Sequence, residues 1–177
     1  MKKFLEKYVR LWYCIINRMK LKGGDCVSGR VDSVEFAKYL NSRAVEMGIE
    51  PNVTKIHKWL YICYGTYLVL SNKQLLDESP MAWDYGPAFP RVYNTQKRNG
   101  KTLIGLPNRQ PPESFKEYDE LIDAVLGYFG SWTAGDLVNW THERGSAWDK
   151  KYNMGRRYGE IDNHDIITDF NKILRKS

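Results

Sequence analysis

The segment after Pro51-Asn52-Val53-Thr54 constrains this chain more than any other. Ile56, Trp59, Leu60, Cys63, Tyr64, Tyr67 and Leu68 recur at helical spacing, and Tyr61 and Ile62 carry the apolar character onto further sides. A helix that is apolar nearly all round belongs in the middle of a bundle, because solvent on any side would leave large rings exposed. The other elements are therefore expected to wrap this one.

Those elements read as further helices. Asp32 or Ser33 caps one, with Glu35 in its first turn; Phe36, Leu40, Ala44 and Met47 line its inner face, and Gly48 ends it. Residues 71–87 read as irregular, with the Gly86-Pro87 pair fixing a tight turn. A helix from about Pro87 to Arg98 turns Phe89, Val92 and Tyr93 inward and closes at Asn99-Gly100. Residues 101–113 form a proline-rich loop. Ser114-Phe-Lys-Glu117 and Thr133-Ala-Gly-Asp136 are capping boxes. The first opens a helix with Tyr118, Leu121, Ile122, Val125, Leu126 and Phe129 on one stripe, and the second a helix to about His142. Ser146 caps a short helix, and Asp162 or Asn163 caps a last one bearing Ile166, Ile167, Phe170, Ile173 and Leu174. Strand alternation is confined to Thr102-Leu103-Ile104. The expected class is mostly α, with little or no β.

The 177 residues suffice for one packed domain without disulfides or metal. Aromatic residues at 14% argue against disorder. The net charge of +6 raises nucleic acid, an anionic membrane or an acidic protein as partners. Its location narrows the choice. Residues 1–28 hold Lys2, Lys3, Lys7, Arg10, Arg18, Lys20 and Lys22 against Glu6 and Asp25, a net of +5, which leaves +1 for the remaining residues. Residues 3–20 read as an amphipathic helix, with Phe4, Leu5, Tyr8, Leu11, Trp12, Ile15, Ile16 and Met19 on one face and basic groups opposite. The Gly23-Gly24 linker follows it. The division is thus a basic helix and linker at 1–28 and a nearly neutral domain at 29–177. No apolar run is long enough for a membrane-spanning helix, and the interrupted N-terminal stretch makes a poor signal peptide. Cys14, Cys26 and Cys63 are odd in number and lack zinc spacing, so reduced thiols in a cytoplasmic protein are expected.

The sequence carries few residues in patterns that support chemistry. His57, His142 and His164 lie far apart, and His142-Glu143 lacks the second histidine of a zinc-protease helix. Asp77, Glu78, Asp84, Glu143 and Asp149 match no ligand spacing. Ser146 lacks the glycines of a nucleophile elbow, and Cys63 sits on an apolar face where a thiol is inert. No catalytic, cofactor or metal residue is expected. Two aromatic segments stand out instead: Trp83-Asp-Tyr-Gly-Pro-Ala-Phe-Pro90, and Thr141-His142-Glu143 with Ser146-Ala-Trp148-Asp149. In the second, Trp148 is placed to cover His142, which in turn can hydrogen-bond across the helix junction.

With the central helix, these segments carry a resemblance. Ile56-His-Lys-Trp-Leu-Tyr-Ile-Cys-Tyr-Gly-Thr-Tyr67, Leu75-Leu-Asp-Glu78, Ala82-Trp-Asp-Tyr-Gly-Pro-Ala-Phe-Pro90 and Leu137-Val-Asn-Trp-Thr-His142 with Trp148 resemble, in order, the motifs of the Panacea domain family. That family comprises SocA-like antitoxins and phage-associated proteins of the GepA type. The resemblance covers about residues 34–175, with Trp83, Tyr85, Gly86, Pro87, Pro90, Thr141, His142 and Trp148 as its motif residues. Ala147 replaces a common proline, Lys58-Trp59 replaces Lys-Leu, and residues 1–28 lie outside the domain. The resemblance implies a mostly helical, non-enzymatic domain that neutralises a cognate toxin encoded by the adjacent gene through direct protein binding.

Other readings stay open. One is a phage-encoded inhibitor of a host defence protein, and another is a proteolytic adaptor that delivers a toxin to the Clp protease. A third is an enzyme using His142 with Glu143 or Asp149. The basic helix serves as a docking arm through Leu11, Trp12, Ile15 and Met19, packs on its own domain, or pairs with a second copy in a homo-oligomer. Membrane-surface contact through residues 1–22 is not favoured; nucleic acid is not an expected partner, because no helix expected after residue 30 has the basic and amide-rich face of a nucleic-acid reader.

Overall fold

The computed structural model describes residues 30–100, 113–154 and 156–175. The N-terminal helix with its anchors Leu11, Trp12, Ile15 and Met19, the Gly23-Gly24 linker and Thr102-Leu103-Ile104 lie outside the described residues. Seven α-helices and one small hairpin make up the described fold: α1 (Ser33–Glu46), α2 (Val53–Ser71), β1 (Met81–Trp83), β2 (Gly86–Ala88), α3 (Pro90–Arg98), a 3-10 turn (Glu113–Tyr118), α4 (Asp119–Phe129), α5 (Ala134–Thr141), α6 (Ala147–Asn153) and α7 (Asn163–Arg175).

Helix α2 is the axis. Every residue from Ile56 to Leu68 is buried, and α2 packs against α1, α3, α4, α5, α7 and strand β2. The Asn52 carboxamide caps it by accepting from Lys55 N–H at 2.9 Å. Gly65 lets α7 approach closely, since a Cβ there would lie 2.4 Å from the Phe170 ring. Phe170 instead meets Tyr61 edge to face at 5.5 Å. The cap assignments hold at Asp32, which accepts from Val34 and Glu35 N–H at 2.9 Å each, at the reciprocal Thr133–Asp136 box, and at Ser146, which accepts from Asp149 N–H at 3.0 Å.

Four local expectations change. The segment expected to be irregular carries the hairpin Met81–Ala88, in which Trp83 pairs with Gly86 across the loop residues Asp84 and Tyr85. Three-residue strands are too short to show alternation, and Pro87 masks one of them. The segment 158–161 borders the other edge of β1 through Tyr158 N–H to Ala82 O (2.8 Å) and Ala82 N–H to Gly159 O (2.9 Å). Ser114–Glu117 is not a capping box. The chain there forms a 3-10 turn, and α4 starts after Tyr118 with no side-chain cap. Helix α3 starts at Pro90, whose missing N–H suits a first helical position. Met47 and Tyr93 are exposed rather than inward, because Met47 lies past the end of α1 and Tyr93 faces a cleft.

The Leu75–Glu78 segment fastens α1. Val31 and Leu76 form a bridge, Ser33 N–H donates to Asp77 (2.9 Å) and Ser33 Oγ donates to Glu78 (2.6 Å). Arg91 on α3 binds both Asp32 and Asp77, and its N–H donates to Glu78 at 3.1 Å. These carboxylates thus order the chain between α1 and α3.

The aromatic junction around Lys58

The two aromatic segments meet at the N-terminal half of α2, and Gly86 is a point of close approach. Its φ of +91° is a conformation that favours glycine. A Cβ there would also lie 2.5 Å from Thr141 Oγ1 and 2.8 Å from Lys58 Nζ. Any side chain at 86 would therefore displace the Thr141 hydroxyl and the end of the Lys58 side chain.

Thr141 is buried; its hydroxyl donates to Val138 O (2.9 Å) and its carbonyl accepts from Ser146 Oγ (2.9 Å). This turn brings His142 flat onto Trp148, with ring centroids 3.7 Å apart and planes within 3°. Trp148 stacks in turn on Tyr152 at 4.4 Å, and the Arg157 guanidinium lies over Tyr152 at 4.8 Å. The Trp148 indole N–H donates to Trp83 O at 2.9 Å, which ties α6 to the hairpin. Asp84, in the hairpin loop, accepts from the hydroxyls of Tyr152 (2.8 Å) and Tyr158 (2.9 Å), and these bonds hold its carboxyl below the usual range.

Trp148 covers His142 as the spacing suggests, but His142 Nε2 is buried without a partner rather than bonded across the junction. Burial, followed by the nearby Lys58 charge, lowers the His142 pKa, so the ring is neutral at pH 7. Asp149 is taken up by the Gly145 N–H (2.8 Å) and by Asn153. Tyr85 is 76% exposed at the tip of the hairpin. Pro87 is buried, and its carbonyl is the acceptor for Lys58 Nζ at 3.0 Å.

Beside this junction lies a cleft of about 550 Å³, lined by α2 (Val53, Thr54, His57, Lys58), the hairpin, α3 (Tyr93, Gln96, Lys97) and Tyr158. Two buried side chains of α2 stand in its wall. Lys58 is only 2% exposed, and burial pulls its pKa down to about 7. His57 accepts from Phe89 N–H at Nδ1 (3.2 Å), so its ring proton sits on Nε2. Burial, with Lys58 adding to it, drives the His57 pKa to about 3. Gln96 lies near enough to favour the charged ring slightly, yet His57 Nε2 and Gln96 Oε1 close no hydrogen bond.

Reading the sequence misses His57, Lys58 and Gln96 as site residues. The available signal was a lysine inside a helix that is apolar all round, where a charge has no route to solvent. The carboxylates weighed for metal binding do not meet: Asp77 and Glu78 clamp α1, Asp84 binds two tyrosines and Asp149, in the first turn of α6, accepts from Gly145 N–H and Asn153. No group of three or more metal-ligating side chains occurs among the described residues. Cys63 is fully buried, and burial pushes its thiol pKa up, away from reactivity. No helix among the described residues is long and apolar enough to cross a membrane.

The model of the antitoxin SocA-like Panacea domain matches residues 56–149, from the first buried turn of α2 through the His142–Trp148 stack. Antitoxin SocA of Caulobacter vibrioides (strain NA1000 / CB15N) is 29% identical over 130 residues, covering 67% of this chain and 69% of that protein. No solved structure matches the chain. The matched span contains the central helix, the hairpin and the histidine–tryptophan stack that together build the junction, and the chain belongs to the SocA-like antitoxin family of Panacea domain proteins.

Proposed function

We propose that this protein is the antitoxin of a toxin–antitoxin pair and neutralises a toxin protein, encoded beside it, by direct contact and without catalysis. The observation that carries the reading is the family match over residues 56–149, together with the similarity to a protein named as an antitoxin. The surface chemistry supports it. Tyr85, Tyr93 and Tyr158 are exposed around one cleft beside Arg157, and tyrosine and arginine are residue types that dominate binding energy at protein interfaces.

In this reading residues 1–28 add a docking arm. Their net charge of +5 favours an acidic partner surface, and Leu11, Trp12, Ile15 and Met19 are the anchors that would enter its groove. A cytoplasmic site of action goes with the same proposal.

Inducible co-expression with the neighbouring gene product tests it. The neighbour alone is expected to arrest growth, and this protein is expected to restore it with the toxin level unchanged on an immunoblot. A harmless neighbour, or arrest that persists, contradicts the proposal. Rescue accompanied by loss of the toxin in cells with Clp protease would replace direct blocking with delivery to proteolysis. Deleting residues 1–28 is expected to weaken rescue if the arm docks.

A further inference from the structure

The cleft beside α2 carries polar groups that the packing of the fold does not use. Its rings form a partial cage: Trp83 meets Tyr93 edge to face at 5.0 Å and Tyr158 at 6.2 Å. Lys58 stands in the same lining. Its ammonium donates to one neutral acceptor, Pro87 O, and no carboxylate pairs with it among the described residues. Asp84 is the only acid of the lining among the described residues, and the Tyr152 and Tyr158 hydroxyls occupy its two oxygens. His57 Nε2 and Gln96 Oε1, in the wall formed by α2 and α3, are buried and unpartnered.

A buried ammonium with a single neutral acceptor is costly, and an apolar side chain of similar length would fill the space without that penalty. An anion arriving from outside completes such a cation with a charge-assisted hydrogen bond. A volume near 550 Å³ with mainly ring and aliphatic walls suits a small aromatic ligand.

We propose that this cleft is a binding pocket for an arylalkyl carboxylate, with the ring held among Trp83, Tyr93 and Tyr158 and the carboxylate accepting from Lys58 Nζ. The His57 Nε2–H is a second donor in the same wall. The ligand is a free aromatic acid or the C-terminal carboxylate of an aromatic residue, since both present the same group. The proposal stands apart from the antitoxin reading, because it concerns a small group in the cleft and not rescue from a toxin.

Calorimetric titration of the full-length protein separates the possibilities. Its probes are 3-phenylpropionate with its amide, and N-acetyl-L-tyrosine with N-acetyl-L-tyrosinamide. Each acid is expected to bind at least about tenfold more tightly than its amide, because only the acid forms the charged hydrogen bond. The tighter of the two acids identifies the source. Lys58→Met is expected to abolish the preference for acid over amide while keeping a cooperative melt, and Tyr93→Ala to weaken both members of each pair. Equal binding of acid and amide overturns the proposal, as does the absence of heat from either acid up to about 10 mM. A folded Lys58→Met protein that retains the preference overturns it too. The acid–amide comparison on the unmodified chain decides the question even where a variant fails to fold.

Discussion

The two flanks of α2 are built to different rules. On the flank facing α1 and α4, the packing is apolar and the polar groups are matched. Phe36 meets Tyr118 and Phe115 edge to face at 5.5 and 6.2 Å, and Tyr67 meets Tyr118 at 6.0 Å. At the rim Arg43 grips both oxygens of Asp123 at 2.7 Å, and the Tyr39 hydroxyl donates to Asp119. On the flank facing the hairpin, α3 and α5, a lysine and a histidine are buried, and among the described residues three of the four unpartnered buried side-chain polar atoms belong to His57, Gln96 and His142. The first flank stabilises the bundle. The second carries electrostatic strain that stability alone would not select, which is the usual mark of a surface kept for binding.

Breaking the first flank is expected to cost most. Trp59→Ala removes a fully buried indole that also donates to Phe129 O, and a loss of about 3–5 kcal/mol is expected from urea midpoints. Gly86→Ala probes the point where the second flank closes. The positive φ alone costs about 1–2 kcal/mol, and the collision with Thr141 and Lys58 adds to it. Gly48→Ala is the control, since its φ of +71° has nothing within 4 Å of the added carbon. A loss at Gly86 no larger than at Gly48 would mean that the close approach carries no energy.

Lys58→Met sharpens the comparison through pH. Unfolded Lys58 holds its proton to about 10.5 and folded Lys58 only to about 7, so between these values the unfolded chain binds more protons and stability rises with pH. His57 works in the same direction lower down. It is protonated below about 6.5 when unfolded but only near 3 when folded, so stability falls as pH drops through that range. Lys58→Met is expected to flatten the upper slope and His57→Gln the lower one, read from denaturation midpoints across pH. A slope unchanged in Lys58→Met would show that its amine is not the buried group described. The smallest effect belongs to the rim of the first flank: Arg43→Ala is expected to cost about 1 kcal/mol or less, because the Asp123 side chain is 42% exposed.

The first flank was legible from sequence because it follows periodicity. Tyr118, Leu121, Ile122, Val125, Leu126 and Phe129 form one stripe, and all are buried. The caps at Asp32, Thr133 and Ser146 were legible for the same local reason. The second flank was only half legible. Its motif residues could be named from a family pattern, but their meeting depends on a hairpin of three-residue strands and on the space Gly86 leaves. Long-range approach of that kind leaves no periodic trace. Lys58 went unread as a site residue because a lysine on a helix ordinarily finds solvent, whereas here β2 and α5 close over it.

Neutralisation by direct binding requires contact between this protein and a toxin. Mixing the purified full-length protein with the purified neighbouring gene product, and measuring mass by light scattering across a sizing column, tests that contact. The account predicts one peak of fixed stoichiometry, formed without other components. Two separate peaks, from a protein that still restores growth in cells, would contradict neutralisation by direct binding.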